Sequence, residues 1–387
     1  MKKNSVNAVV STIGMDLGDK QSRVCVLDEA GDIAEEGSVS TSASALARKF
    51  KGLDPHRIVI ETGTHANWVH DLLVSFGHEV VVANARKVRA ISANERKCDE
   101  LDARMLARLG RSDTRLLQPV EVRPAQVRQD MMLVRGREAL VKARTLLVNS
   151  ARGLAKSGGE RLPSSSAKSL HNKELVHFKT ELQPMMAALE EICEQISEYD
   201  KKIKEVSAER YPQTALVRQV TGVGPITSLY FVQALGDVRR FKDGRAVGAY
   251  FGLVPRRDQS GARDPQLGIT KCGDELGRRL LVQCAQYILG PHGPDTDLRR
   301  FGLRLAGGAK GAKKRAIVAT ARKLAVLLYA LLKKSEVYEP LRNSQKSPGG
   351  EGAVSDVRPP ISRPPRTQPS LKCVADGRSA PDAPTTK

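Results

Sequence analysis

Short apolar runs broken by turn residues fill the first third of the chain. Val9 to Met15 reads as a strand that ends on Asp16. The turn Gly18-Asp19-Lys20-Gln21 follows, then a second strand-like run from Ser22 to Leu27. Asp28 to Asp32 supplies another turn before Ile33 to Ser40, so the spacing predicts a three-strand meander. Helix-forming stretches at Ala43 to Phe50 and Ala66 to Phe76 then alternate with strand-like runs at Arg57 to Glu61 and Glu79 to Ala83. The predicted order is βββαβαβ, that of a ribonuclease-H-like α/β domain.

Beyond residue 119 the apolar period changes. Leu133, Leu140, Leu147 and Leu154 recur every seven residues, with Val127, Val134, Val141 and Val148 alongside, so 125–156 reads as one long helix. A Gly/Pro/Ser-rich stretch, 158–169, breaks the pattern. Leu182, Met185, Leu189, Ile192, Ile196, Tyr199, Ile203 and Val206 then alternate three and four apart, an a/d seam longer than three heptads. The two helices either pair within one chain or zip two chains together, and the pattern fits both. The segment Leu216 to Phe231 reads as a helix–hairpin–helix or as a plain helix–helix turn, with Gly222 and Gly224 permitting a tight bend. Residues 299–334 carry Lys and Arg but no acid, with an apolar face at Ile317, Leu324, Leu328 and Leu331, so a basic amphipathic helix is expected there. Past Glu339 the chain is rich in Pro, Ser, Arg and Gly and reads as a disordered tail.

Charge narrows the partners. A net charge of +20 over 387 residues points to a polyanion. Aromatic residues are only 4%, which favours contacts to a sugar-phosphate backbone over base stacking. The six cysteines are scattered with no C-x-x-C pair, which argues against both a disulfide frame and a zinc site. No apolar run is long enough to span a bilayer, so the expected location is the cytoplasm, on the nucleoid.

Four acids give the strongest chemical signal. Asp16 and Glu61 end two predicted strands, and Asp99 and Asp102 sit three apart in a breaker-free helical stretch, on one face. Any one of them alone is an ordinary solvated carboxylate. Together they can hold two Mg²⁺ ions roughly 3.5–4 Å apart for in-line attack at a phosphodiester, and hard oxygen donors suit Mg²⁺, with Mn²⁺ as its substitute. Arg86, Lys87 and Arg89 just upstream are candidates for holding a phosphate backbone beside the ions. Gly222 and Gly224 open a helix N-terminus that can face a phosphate. Ser260 precedes a glycine, with Arg256, Arg257 and Lys271 nearby in sequence. A serine hydroxyl needs a base or metal to become a nucleophile, and Ser-Gly is also a common turn pair.

Several of these segments occur together, and in the same order, in a known family. Gly14-Met-Asp16-Leu, Ile60-Glu61-Thr-Gly, Asn84-Ala-Arg-Lys-Val-Arg and Lys97-Cys-Asp99-Glu-Leu-Asp102-Ala are followed by Gly222-Val-Gly-Pro, Gly252-Leu-Val-Pro, Gln259-Ser260-Gly and Gly268-Ile-Thr-Lys-Cys-Gly. The chain resembles the DEDD transposases of the insertion-sequence one-ten type, with its eleven-eleven branch, from Thr12 to about Lys334. It departs from the family at Ala85, where Pro is usual, and at Cys98, where Thr is usual. The resemblance implies a RuvC-like metal-dependent domain over 1–118, a helical coiled-coil connector over 119–208 and a mainly α transposase domain over 209–335, while composition leaves 336–387 as a disordered basic tail. It implies that Asp16, Glu61, Asp99 and Asp102 bind Mg²⁺ and that Ser260 attacks DNA to form a transient phosphoserine. It further implies donor and target DNA as partners, an element-encoded guide RNA, and a homo-oligomer, dimer or tetramer. Two other readings fit the acids or the charge: a Holliday-junction resolvase-like nuclease using water, and a non-catalytic nucleic-acid scaffold.

Overall fold

The computed structural model describes residues 11–84, 98–173, 177–261, 265, 267–307 and 311–343. The chain divides into two units, Met1–Pro340 and Leu341–Lys387, and every element below lies in the first.

Strands β1 (Thr12–Asp16), β2 (Gln21–Leu27) and β3 (Ile33–Ser40) form the expected meander. Helix α1 (Ala43–Phe50), β4 (Arg57–Glu61), α2 (Ala66–Ser75) and β5 (Glu79–Ala83) follow. The strands lie in the order β3-β2-β1-β4-β5. The meander is antiparallel, whereas β4 runs parallel to both β1 and β5. Alternation of side chains divides the sheet residues between two faces. Ile13, Met15, Ile58, Ile60 and Val82 pack with Leu46 and Phe50 of α1 and with Val69 and Leu73 of α2. Cys25, Val59 and Ala83 belong to the other face, which is covered by α3 (Asp99–Ser112) through Ala103, Leu106 and Ala107. Two glycines allow this close approach. A Cβ at Gly14 would collide with the backbone of Ala103 and Ala107, and one at Gly110 with Val59. The result is a mixed sheet with helices on both faces, compatible with the ribonuclease-H-like α/β architecture.

Helices α4 (Ala125–Ser157) and α5 (Lys179–Arg210) pack against each other within the one chain. On α5 the buried residues Leu182, Leu189, Ile196 and Ile203 follow the predicted seam. On α4 the inward stripe follows the accompanying valines, with Leu133 and Leu147 only partly buried against it. Leu154 is 56% exposed, while Met131, Val134, Val148, Ala151 and Ala155 are buried. The partner helix and the returning loop at Leu170 cover that side instead. Arg137 donates to Asp200 at 2.5 Å across the pair.

The base of the pair shares one core with the remaining helices: α6 (Thr214–Arg218), α7 (Pro225–Leu235), α8 (Gly244–Tyr250), α9 (Glu275–Leu289), α10 (Asp297–Ala306) and α11 (Ala312–Lys334). The basic stretch after residue 299 is thus two helices rather than one, since α10 ends at its C-cap Gly307 and α11 starts after the left-handed Gly311. Arg123 ties the start of α4 to this core by donating to the carbonyl of Gln233 (2.8 Å), the carbonyl of Ala234 and the Tyr250 hydroxyl (2.8 Å). Arg128 ties α4 to the sheet region through an ion pair with Asp71 of α2. Among the described residues no helix is long and apolar enough to cross a membrane.

Candidate active site

β1 and β4 are parallel neighbours with Met15 opposite Ile60. One step further, Asp16 and Glu61 stand side by side at the C-terminal ends of the two strands. Gly14 and Val59, two residues earlier, meet α3, so alternation turns both carboxylates toward that helix. The direction of α3 decides what else arrives there. Gly110 lies against Thr12 and Val59, and Ala103 and Ala107 cross Gly14, so α3 runs antiparallel to β1. Its first turn, with Asp99, Glu100 and Asp102, therefore lies at the Asp16–Glu61 end. Acids in a first turn are favoured by the helix dipole, which fits a helix that starts here without a side-chain cap. Asp102 is buried at 4% exposure, whereas Asp99 is exposed. Asp16, Glu61 and Asp102 thus share one end of the sheet, with Asp99 outside them on the solvent side.

This donor set is all carboxylate oxygen, the chemistry a hard divalent ion takes. Among the described residues no three acid, His or Cys side chains are already gathered as a metal cage. The acids come together at the level of backbone placement, in a chain that is otherwise strongly basic. Cations brace α3 along its length. Arg104 makes a two-pronged ion pair with Glu36 of β3, and the guanidinium holds the Glu36 carboxyl below the usual carboxylate range. Arg111 donates to the Glu29 carbonyl at 2.6 Å. Arg23, the cross-strand partner of Asp16, approaches Glu100 at 3.5 Å. Arg23 escaped the sequence reading, although its place opposite Asp16 follows once the meander is aligned. Burial beneath α3, with Glu36 close by, pushes the Cys25 thiol up to about 11, so it stays a protonated core residue.

Ser260 lies in a different setting. Pro255 bridges Ile269, the Arg256 N–H donates to Gly268 (2.8 Å) and the Thr270 N–H to Val254 (2.9 Å), forming a narrow two-stranded ribbon. Ser260 is exposed toward the far end of this ribbon. The root is packed backbone on backbone. Gly273, at φ 124, leaves no room for a Cβ beside the Tyr250 carbonyl, and Gly252, at φ 65, none beside Cys272. Arg278 donates to the Phe251 carbonyl at 3.0 Å, and Asp274 caps α9 while accepting the Tyr230 hydroxyl at 2.9 and 3.1 Å. Burial, then the Asp274 charge, pushes the Tyr230 hydroxyl well above its ordinary range. Arg256 and Arg257 are exposed on one strand of the ribbon and Lys271 on the other, with Lys271 in a left-handed conformation at φ 54.

Gly222, at φ 96, makes the turn into α7, and Gly224 and Pro225 start that helix. A side chain at Gly222 would press on Tyr287 and Ile288 of α9. Beside the turn lies an open groove of about 380 Å³, lined by Gly222, Gly224, Thr227 and Tyr287 among others. Arg86, Lys87 and Arg89 lie outside the described residues.

Comparison with known proteins adds to this geometry. Residues 13–157 match a DEDD transposase family, and residues 214–298 match the family described as "Transposase IS116/IS110/IS902 family". The chain is 27% identical over 342 residues to the transposase for insertion sequence element IS1111A of Coxiella burnetii, covering 85% of this chain and 91% of that protein. It is 29% identical over 302 residues to a probable family 20 transposase of Pseudomonas aeruginosa, with 75% and 88% covered. A pilin gene-inverting protein of Moraxella bovis is 24% identical over 317 residues, with 79% and 88% covered.

Proposed function

Because the chain belongs to the IS110-type DEDD transposases of insertion sequences, enzymes that cut and join DNA, we propose that it does so with Asp16, Glu61, Asp99 and Asp102 as ligands for two divalent ions and Ser260 as the nucleophile. What supports the ligand set is the placement of Asp16, Glu61 and Asp102 at one end of the sheet, with Asp99 a turn away. Mg²⁺, or Mn²⁺ in its place, would supply Lewis-acid charge and favour the deprotonated form of a coordinated hydroxyl. The Ser260 oxygen forms a bond to phosphorus while a phosphorus–oxygen bond to deoxyribose breaks. The freed sugar hydroxyl leaves with the proton. A sugar hydroxyl of the strand to be joined then attacks the phosphoserine, and Ser260 regains its proton. Arg256, Arg257 and Lys271 on the ribbon hold the phosphate backbone near the serine by charge.

The remaining assignments belong to the same reading. Residues 1–118 form the RuvC-like metal domain, 119–208 the coiled-coil connector, 209–335 the serine-bearing domain with its helix–hairpin–helix-like turn at Gly222 and Gly224, and 336–387 the tail. Sequence choice comes from an element-encoded RNA that pairs with donor and target DNA, which leaves the protein backbone contacts to make. The same reading makes the protein a homo-oligomer, dimer or tetramer. The protein works on the nucleoid.

A covalent adduct tests the reading. The protein is mixed with its flanking RNA, donor and target DNA and Mg²⁺, then resolved on a denaturing gel. A Mg²⁺-dependent adduct absent from both Ser260→Ala and Asp16→Ala is expected. Cleavage without an adduct that survives Ser260→Ala would overturn the serine step and leave a water-using nuclease.

A further inference from the structure

The loops that follow Asp16 and Glu61 are joined by a chain of side chains that neither the acids nor the serine require. His65 lies four residues past Glu61, at the start of α2, and Asp19 lies three residues past Asp16, in the β1–β2 turn. The Trp68 indole N–H donates to His65 Nδ1 at 3.0 Å. An acceptor at Nδ1 leaves the ring proton on Nε2, and Nε2 faces Asp19 Oδ1 at 3.4 Å. The Asp19 side chain is 91% exposed, while His65 is only 26% exposed. The β1–β2 turn is also held from its other side. Thr41 Oγ1 donates to the Gly18 carbonyl at 2.9 Å, and the Thr41 N–H to the Lys20 carbonyl at 2.9 Å. The contact to His65 is thus the adjustable side of a turn whose other side is fixed.

We propose that His65 is a positioning residue. Held in its Nε2–H tautomer by Trp68, it straps the Asp19 turn to the Glu61 loop, sets the spacing of Asp16 and Glu61, and thereby couples Trp68 to occupation of the carboxylate site by a divalent ion. This rests on the proposed ligand role of Asp16 and Glu61. The geometry carries the inference: the two loops leave adjacent parallel strands directly after the two carboxylates, and the His65–Asp19 contact spans them, with Trp68 holding the His65 ring from its own side. Any shift of the two loops on ion binding would fall first on the contact at 3.4 Å, the longer of the two. Trp68 is the sole tryptophan in the chain, so its emission reports on this strap with no background from another indole.

The test needs no DNA and no turnover. The full-length protein is titrated with Mg²⁺, and ion binding is measured by calorimetry while Trp68 emission is followed in parallel. The wild type is expected to give one saturable emission change whose midpoint matches the calorimetric one. Asp16→Ala is expected to lose both signals. His65→Ala is expected to bind with affinity reduced about fivefold, the weight of one long, solvent-exposed hydrogen bond, and to lose the emission change. His65→Gln places an amide N–H near the position of Nε2–H and is expected to recover much of the affinity, whereas His65→Leu, which fills similar space without a donor, is not; equal rescue by Leu overturns the strap. Circular dichroism confirms that each variant is folded. Asp16-dependent ion binding with silent Trp68 emission, or with affinity unchanged in folded His65→Ala, overturns the strap and leaves the carboxylate reading intact. Ion binding that ignores Asp16→Ala overturns the carboxylate reading itself.

Discussion

The acids and the serine are presented by opposite kinds of structure. Asp16, Glu61 and Asp102 sit on the edge of a three-layer core in which α3 touches the sheet backbone to backbone at Gly14 and is braced by Arg104 and Arg111. Ser260 is exposed, on a ribbon whose described pairing, Pro255 with Ile269 and Arg256 with Gly268, lies toward its root. Groups that must hold ions at set separations gain from a scaffold that does not yield. Under the proposed mechanism, a nucleophile that must meet a separate DNA strand gains from an exposed place on a short arm whose base is fixed. On that reading the difference gives placement accuracy to the acids and reach to the serine.

The sharpest way to break this comparison is to remove one group from each side. Asp16→Ala and Ser260→Ala are each expected to lower strand transfer by ~10³-fold or more, with Tm nearly unchanged. If only the first does so, the ribbon is not the nucleophile's carrier. The next largest effect concerns rigidity. Gly14→Ala forces α3 off the sheet and is expected to destabilise the fold by about 3 kcal/mol in denaturant titration. Gly261→Ala, with open space but φ 55, is expected to cost about 1 kcal/mol and only locally. Equal costs at the two sites would erase the contrast.

A smaller effect lies at the seam between the sheet region and α4. Arg128 holds the Asp71 carboxyl below its usual range, chiefly by hydrogen bonding. Because the folded value is depressed, this contribution is present above the ordinary carboxylate pKa and disappears as pH falls through the lower, folded value. Asp71→Asn is therefore expected to lose about 1 kcal/mol at neutral pH, kept small because the carboxylate is 42% exposed, and the gap to wild type should close on acidification. Smallest of all, Arg256→Ala and Arg257→Ala should each reduce the slope of log affinity for DNA against log salt by about 1, measured by fluorescence anisotropy.

The sequence made the sheet easy to read because strand alternation and turn residues coincide there. The predicted spans of β3, α1, β4 and β5 match the observed elements residue for residue. The spacing of Asp99 and Asp102 was equally plain, being a property of one helix. What stayed hidden depends on partners far away in sequence. The choice between Leu154 and Val148 as the inward residue of α4 is made by α5 and by Leu170, which the heptad count cannot see. The ribbon that carries Ser260 was reduced to a turn pair because its two strands are only a few residues long and lack alternation. The glycines that admit α3 carried a signal, each being a residue without a side chain inside an apolar run, but its meaning needed both partners in place. The His65 strap had none, since its crossing contact joins residues 46 positions apart on separate loops.

Helix α7 carries one more consequence. Every residue from Thr227 to Leu235 is buried, and the core around it draws on Leu324, Leu328 and Leu331 near the end of α11. A helix apolar on all sides has no stable place in water until its neighbours close over it. Synthesis must therefore run nearly to residue 334 before the serine-bearing region can mature. A gene copy cut short by a frameshift upstream of α11 would yield a chain with a sticky, protease-sensitive middle. Such a copy is expected to be cleared from the cell rather than to accumulate.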